Sequence, residues 1–205
     1  MQTKIDAITL ITSSFYKPFE YEQNPNLRSD VIEKQLDELK QILNANNVNV
    51  KDLNRIECYD ISNISGTNAT GSMVVFTNGE KDSSSYRKFK IKRDYGNKPN
   101  DFAMMQEILT RRINRADWPK PSLVIIDGGK GQVSSIKEIF NLLDYDVPLI
   151  GLAKKEETII TPDFNQIKLA SNSKALLFIM RIRDEAHRFA INYHKKLRSK
   201  SFLAS

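Results

Sequence analysis

The chain has a single cysteine, Cys58, and only two histidines among its 205 residues. One thiol cannot form a disulfide within the chain, and it excludes a metal site built from several of the chain's own thiolates. Long hydrophobic runs are also missing, since no segment approaches the ~20 apolar residues that a membrane-crossing helix needs. The N-terminal segment MQTKIDAITLITSSFYKPF is too often interrupted by polar residues to be a secretory signal peptide. These absences favour a cytoplasmic protein without disulfides.

Positive charge is in excess, with 31 Lys and Arg residues against 25 Asp and Glu residues and a net charge of +6. Hydrophobic residues make up 40% of the chain and charged residues 27%, which is a globular and not a disordered composition. The excess favours a polyanionic partner such as nucleic acid, although many basic proteins never bind one.

The spacing of apolar residues predicts an α/β fold with a mixed sheet. An amphipathic helix is expected at about residues 30–46, with Asp30 as its N-cap, inside an N-terminal flank of residues 1–50. In the following domain, residues 51–205, three strands with short connections predict an antiparallel meander: RIECYDI, SMVVFTNG and YRKFKIK. A helix is expected at DFAMMQEILTRRI.

The second half of this domain predicts a parallel strand pair. The buried strands in PSLVIIDGG and VPLIGLAK flank the helix GQVSSIKEIFNLL, which implies a right-handed crossover. A hairpin of ETIIT and NQIKLA and a long helix at about residues 173–200 complete the fold. The prediction is therefore three antiparallel strands, then two parallel strands, with flanking helices and a long C-terminal helix.

Two aspartates in this pattern are candidates for chemistry. Asp127 follows a predicted parallel strand at its carboxyl end, where ligands gather in open α/β sheets. Asp60 lies in the first strand, on the same face as Ile56 and Cys58 if the strand is regular. Two carboxylates on adjacent strands repel each other, and a divalent metal ion removes that repulsion. The ordinary alternative is that Asp127 only caps a turn or helix, which strand-end aspartates do more often.

The glycines after Asp127 do not form a nucleotide-binding motif. GGKGQ lacks the Ser or Thr that follows Gly-Lys in a phosphate-binding loop. Ser134 occupies the position of the third glycine in the dinucleotide-binding pattern. Gly128 and Gly129 are instead expected to allow a sharp turn of the backbone.

Both histidines lie in RIRDEAHRFAINYHKKLR, residues 181–198. His187 borders the apolar face of the predicted helix, and His194 lies nearer its basic end. Spacing alone leaves two roles open for His187. It is either a packed structural side chain, the more frequent case, or an imidazole that the helix delivers to a site.

Six segments resemble, in order, the C-terminal endonuclease half of the UvrC family, the incision subunit of bacterial nucleotide excision repair. They are IECYDISNISGTNATGSMVVF, YRKFKI, DFAMMQEILTRR, LVIIDGGKGQ, GLAKKEE and RIRDEAHRFAINYHKKLRSK. The resemblance covers residues 56 to about 200 and implies a ribonuclease-H-like fold. It also implies a metal-dependent DNA endonuclease that cuts on the 5′ side of a lesion.

The resemblance further implies a site in which Asp60, Asp127 and His187 bind Mg²⁺ or Mn²⁺, with Asp101 as a further residue important for incision. His187 is expected to be either a third ligand or the group that orients or deprotonates the attacking water. His194 is expected to be structural or to contact the DNA backbone. Six cationic residues are candidate phosphate contacts, although a solvated surface charge explains each equally well: Lys130, Lys154, Lys155, Arg181, Arg183 and Arg188.

The implied partners are damaged DNA and the UvrB–DNA complex of the UvrA and UvrB system. The family's other cutting module, its UvrB-contacting segment and its helix-hairpin-helix domain lie outside the resemblance. Two other functions remain open. An endonuclease V-like repair nuclease on the same fold would prefer deaminated bases to bulky adducts, and a non-catalytic DNA-binding module would be indifferent to metal and to Asp60→Ala.

Overall fold

A computed structural model of the chain describes residues 25–62, 70–93, 100–153 and 158–202. The helices in these ranges are α1 (Pro25–Ala45), α2 (Asp101–Ile113), α3 (Lys130–Leu142) and α4 (Lys174–Phe202). The strands are β1 (Arg55–Ser62), β2 (Thr70–Thr77), β3 (Glu80–Lys81), β4 (Arg87–Lys90), β5 (Leu123–Ile126), β6 (Leu149–Ala153), β7 (Thr158–Ile160) and β8 (Gln166–Ile167). No described helix combines the length and hydropathy that a membrane span requires.

The strands form one mixed sheet in the order β3-β2-β1-β5-β6-β7-β8, and β4 pairs with β2 beside β3. The central strands β1, β5 and β6 are parallel, and the strands on both sides of them are antiparallel. In the register of the centre, Tyr59 of β1 lies beside Ile126 of β5, which lies beside Gly151 of β6. The predicted order of antiparallel and parallel strands is confirmed.

Helices cover both faces of the sheet. Because side chains alternate along a strand, successive residues of β1 point to the helices on opposite faces. On one face, Phe76, which lies opposite Ile56, packs edge-on against Phe178 of α4 with ring centroids 5.9 Å apart. On the other face, a Cβ on Gly71 would come within 2.0 Å of the Cδ1 atom of Ile108 in α2. Even-numbered residues of β1 therefore face α1 and α4, and odd-numbered residues face α2 and α3.

Helix α1 begins earlier than the sequence pattern indicates. It begins at Pro25, so Asp30 lies inside the helix and its predicted N-cap role is wrong. Proline is favoured in a first turn because its missing N–H has no partner there in any case. Leu39 and Leu43 of α1 are fully buried in the same core as the sheet. The boundary at residue 50 stays a prediction.

The first turn of α4 is attached to α1. The carboxylate of Glu38 accepts a hydrogen bond from the Ser173 hydroxyl at 2.7 Å and another from the Lys174 backbone N–H at 3.2 Å. A carboxylate at a helix N-terminus is favourable because it meets unpaired N–H groups and the positive end of the helix dipole. The start of α4 is thereby fixed over the face of the sheet that carries Asp60.

The opposite face contains a buried ion pair. The Arg112 guanidinium donates two hydrogen bonds of 2.9 Å to the two carboxylate oxygens of Glu57 and one of 2.6 Å to the carbonyl of Pro119. The Tyr59 hydroxyl donates to Glu57 at 2.6 Å, and burial together with the Glu57 charge raises the pKa of Tyr59. Because Glu57 is fully buried and fully paired, it holds α2 on the sheet and takes no part in the site below.

Candidate metal centre

Asp60 projects from β1 toward α4. Along the strand, Ile56, Cys58 and Asp60 point to the same side, as a regular strand predicts. Asp60 is buried, with 8% of its surface exposed, and its backbone pairs with Ser72 of β2. A carboxylate at such a depth needs a cation or hydrogen bonds to offset the loss of water.

Asp127 lies directly beside Asp60 because β1 and β5 are parallel neighbours. The Asp127 N–H donates to the Tyr59 carbonyl at 2.9 Å, which extends the pairing of the two strands by one residue. Asp127 is 7% exposed. The chain then turns at Gly128 into α3, so both carboxylates lie at the carboxyl ends of the central strands.

The third residue of the site, His187, lies on α4. One carboxylate oxygen each from Asp60 and Asp127 and one ring nitrogen of His187 all lie within 4.8 Å of one another. The two aspartates are buried and His187 is exposed. The structure therefore brings together the three residues that the resemblance implies, and it places the imidazole at the open side of the site.

The electrostatics of this cluster are incompletely balanced by the protein. The Oδ1 atom of Asp127 is buried and accepts no hydrogen bond from the described residues. The Nε atom of Arg183, one helical turn before His187, lies 3.9 Å from it. Burial raises the pKa of the Cys58 thiol, and the charges of Asp127 and Asp60 raise it further, which argues against the thiolate form that a metal ligand requires.

The donor set fits a hard divalent cation. Carboxylate oxygens are the preferred ligands of Mg²⁺ and Mn²⁺, and one imidazole is tolerated by Mn²⁺. The buried Asp127 oxygen without a hydrogen bond is the atom that such an ion would satisfy. Asp60, Asp127 and His187 would hold it.

A buried carboxylate fixes the helix that carries His187. Glu185, 2% exposed, accepts hydrogen bonds from Lys81 of β3 at 2.7 Å, from the Tyr86 hydroxyl at 3.1 Å and from Arg188 at 2.9 Å. Burial alone would raise the pKa of Glu185, but the hydrogen bonds from Arg188 and Lys81 lower it to about 2. The ionised carboxylate therefore anchors α4 two residues before the imidazole.

The other residues predicted for the site have different positions and contacts. Asp101 is exposed in the first turn of α2, whose N-cap is Asn100, and it is not a member of the three-residue cluster. Lys130 is exposed at the start of α3. Arg188 is paired with Glu185. Lys154 and Lys155 lie outside the described residues.

Arg181 is used within the fold. Its guanidinium donates to the Gly79 carbonyl at 2.6 Å and lies 5.0 Å from the centre of the Phe178 ring. These contacts join α4 to the β2–β3 turn, and the phosphate contact predicted for Arg181 stays a prediction.

Three residues near the cluster were not singled out from the sequence. Ser72 lies opposite Asp60, and Lys88 of β4 lies opposite Ser72, so both share the Asp60 face. A Cβ on Gly151 of β6 would come within 2.6 Å of the Gly128 carbonyl, so this glycine makes room for the turn after Asp127. The alternation within YRKFKIK slips once and does not assign a face to Lys88, and no local signal gives the register between strands.

Comparison with known proteins shows the family of the chain. Residues 45–191 match the family model of the UvrC RNase H endonuclease domain. The UvrABC system protein C of Dehalococcoides mccartyi is 50% identical over 161 residues, which cover 74% of this chain and 26% of that protein. The protein of the same name from Dictyoglomus thermophilum is 43% identical over 183 residues, covering 88% of this chain and 30% of that protein.

The solved structures that resemble the chain include an endonuclease V from Bacillus subtilis. It is 13% identical, with a TM-score of 0.41, and the match covers 76% of this chain and 91% of that chain. The chain spans less than a third of the length of the two curated relatives above. On the family match, which covers most of its length, the chain belongs to the family of UvrC RNase H endonuclease domains.

Proposed function

We propose that the chain is a divalent-metal-dependent DNA endonuclease domain that makes the 5′ incision in nucleotide excision repair. The observation that carries the proposal is the meeting of Asp60, Asp127 and His187 within 4.8 Å at the carboxyl ends of the central strands. Membership of the UvrC endonuclease family supports the reaction, the hydrolysis of a phosphodiester bond.

The buried and the exposed residues of the site would have different roles. When bound, Mg²⁺ or Mn²⁺ would supply charge stabilisation at the scissile phosphate and a more acidic attacking water. The buried carboxylates of Asp60 and Asp127 would hold the ion. The exposed imidazole of His187 is placed either to complete the ligand set or to orient the water and accept its proton.

The DNA would reach the site across the exposed side of the cluster. Lys130 at the start of α3 and Lys88 on β4, opposite Ser72, are exposed cations, and the Nε atom of Arg183 lies 3.9 Å from Asp127. Contacts from such side chains to phosphates position the strand without reading its sequence. Lys154, Lys155 and Arg188 stay candidates for the same role, and Asp101 stays a candidate for incision.

The partners follow from the relatives and are part of the proposal. The relatives are named as components of the UvrABC system, so we infer damaged DNA and a UvrB–DNA complex, loaded with UvrA, as the setting of the cut. The proposed compartment is the cytoplasm.

The test is cleavage of supercoiled plasmid in Mn²⁺, Mg²⁺ or EDTA. Wild-type protein is expected to nick the plasmid only with metal, and Asp127→Asn is expected to abolish nicking. His187→Ala is expected to lower the rate by ~10²–10⁴-fold, the usual contribution of a positioned acid or base. His194→Ala, which removes the chain's other histidine, is the matched control and should retain the wild-type rate.

Two results would contradict the proposal. One is nicking that persists in EDTA or in Asp127→Asn. The other is an absence of nicking both on plasmid and on lesion-containing DNA supplied with UvrA and UvrB.

A further inference from the structure

The hydroxyl of Ser72 is a buried polar group for which the fold shows no use. Ser72 is 5% exposed, and its Oγ atom is buried with no hydrogen-bond partner among the described residues. It lies on β2 directly opposite Asp60 in the antiparallel register, on the face that carries the candidate metal centre. Side chains in such pairs have their Cβ atoms ~4.5–5.5 Å apart. The hydroxyl is therefore a neighbour of the Asp60 carboxylate.

A hydroxyl in this position destabilises the folded chain unless it acquires a partner. It has lost its hydrogen bonds to water without replacing them, and buried groups of this kind call for a specific explanation. On the same face of β2, Ser72 lies between the buried residues Thr70 and Val74, and Asp60 of β1 and Lys88 of β4 lie opposite it. An alanine at position 72 would avoid the cost of burying a hydroxyl without a partner.

We infer that Ser72 is a positioning residue of the metal centre, an inference that rests on the proposed metal-dependent nuclease function. Its hydroxyl donates a hydrogen bond to the Asp60 carboxylate when that carboxylate ligates a divalent ion, and so holds it in the ligating orientation. Ligating carboxylates in metal sites are themselves held by hydrogen bonds, and loss of such a partner typically weakens metal affinity ~10–100-fold. The serine is thus unsatisfied in the metal-free fold and satisfied in the metal-bound one.

The test measures Mn²⁺ binding by titration calorimetry without DNA, and thermal unfolding in EDTA. Ser72→Ala is expected to weaken Mn²⁺ binding ~10–100-fold. Its midpoint of unfolding in EDTA is expected to equal or exceed that of the wild type, since the substitution removes an unsatisfied hydroxyl. Ser72→Thr, which keeps the hydroxyl and suits a strand, is expected to restore most of the affinity.

Ser135→Ala is the matched control. Its hydroxyl donates to the Gln132 carbonyl at 3.1 Å in α3, on the other face of the sheet. The variant also loses one serine hydroxyl, a partly buried one away from the cluster, and should bind Mn²⁺ with wild-type affinity.

Wild-type Mn²⁺ affinity in Ser72→Ala would overturn the inference. So would weaker binding accompanied by a lower unfolding midpoint in EDTA, because the hydroxyl would then have a structural partner. Asp127→Asn separates the two levels of the argument. If Asp127→Asn abolishes binding and Ser72→Ala binds Mn²⁺ with wild-type affinity, only the role of Ser72 fails; if the wild type binds no Mn²⁺, the proposed metal centre fails and the role of Ser72 with it.

Discussion

Two buried carboxylates at the central strands differ in how fully the fold pairs their charges. Glu57 has both oxygens bonded to Arg112 and a third hydrogen bond from Tyr59. The buried Oδ1 atom of Asp127 accepts no hydrogen bond within the described part of the chain, and a guanidinium nitrogen lies 3.9 Å away. The fully compensated charge supports the fold. The charge that is not fully compensated is available to a ligand, and this difference supports the proposed role of Asp127.

The Glu57–Arg112 pair predicts a large loss of stability on substitution. Arg112→Ala would remove the guanidinium that bonds both oxygens of the buried Glu57 carboxylate and leave Arg55, 3.2 Å away, as its cation. Breaking a buried pair typically lowers the free energy of unfolding by ~3–5 kcal/mol. Urea denaturation followed by circular dichroism measures it. Arg115→Ala, close by, removes an arginine whose partner Asp117 is exposed, and it should change stability little. Equal losses in both variants would show that the burial of the Glu57 pair is not what matters.

At the scale of elements, the site depends on close packing between β6 and the turn after β5. The turn at Gly128 follows Asp127 and starts α3, and its carbonyl lies over Gly151 of the next parallel strand. Because neither the backbone carbonyl nor the buried Val133 side chain has room to move away, the position requires glycine.

Gly151→Ala is therefore expected to destabilise the protein and to displace Asp127. The added methyl would come within 2.6 Å of the Gly128 carbonyl and 2.4 Å of the Val133 side chain. Overpacking of this kind typically lowers the free energy of unfolding by ~1–3 kcal/mol. Denaturation and Mn²⁺ titration measure the two effects. Gly129→Ala, where a methyl would meet no atom within 4 Å, is the control and should leave both unchanged.

The sequence predicted the central elements well and the edges poorly. The buried strand LVII was recognisable because it is apolar on both faces and ends in an acid, and α2 followed from its apolar spacing. The seven-residue strand YRKFKIK is paired only over Arg87–Lys90, and β8 is two residues long. Edge strands pair on one side, so their ends depend on a partner that local sequence does not show.

The residues of the candidate site likewise fall into those that the sequence pointed to and those that it did not. The family motifs and the side-chain alternation of β1 pointed to Asp60, Asp127 and His187, which the structure brings together; their roles stay predictions. Ser72 lies beside Asp60 because of the register of β2 on β1, and Gly151 lies beside Ile126, next to Asp127, because of the register of β6 on β5. Register is a long-range property, and neither residue stands in a motif that would reveal it.

At the scale of the whole molecule, the excess of positive charge predicts DNA binding that weakens as the salt concentration rises. The net charge is +6, and exposed cations lie on the face that carries Asp60. Each phosphate that a lysine neutralises releases counterions, so affinity falls with rising salt by ~0.9 logarithmic units per contact and per tenfold change in salt.

Lys88→Ala is expected to weaken binding of a DNA duplex similarly for all sequences and to reduce the salt slope by about 1. Fluorescence anisotropy between 50 and 200 mM salt, about the range in which such effects are large, measures it. Lys120→Ala is the control, because Lys120 lies over the Tyr145 ring, near Arg112 and away from the Asp60 face. An unchanged slope in Lys88→Ala would remove β4 from the DNA path.

The order of the ligands along the chain has a consequence for protein synthesis. Asp60 and Asp127 belong to strands that pair directly, whereas His187 belongs to α4, which follows every other described element. A ribosome releases the chain from its N-terminus, at ~5–20 residues per second, and folding of the emerged part can precede the rest. The nascent sheet can thus bring its two acids together well before the imidazole has been translated. A chain that stalls before α4 would carry an incomplete candidate metal centre, so under the proposed function synthesis itself would delay DNA cleavage until the fold is finished.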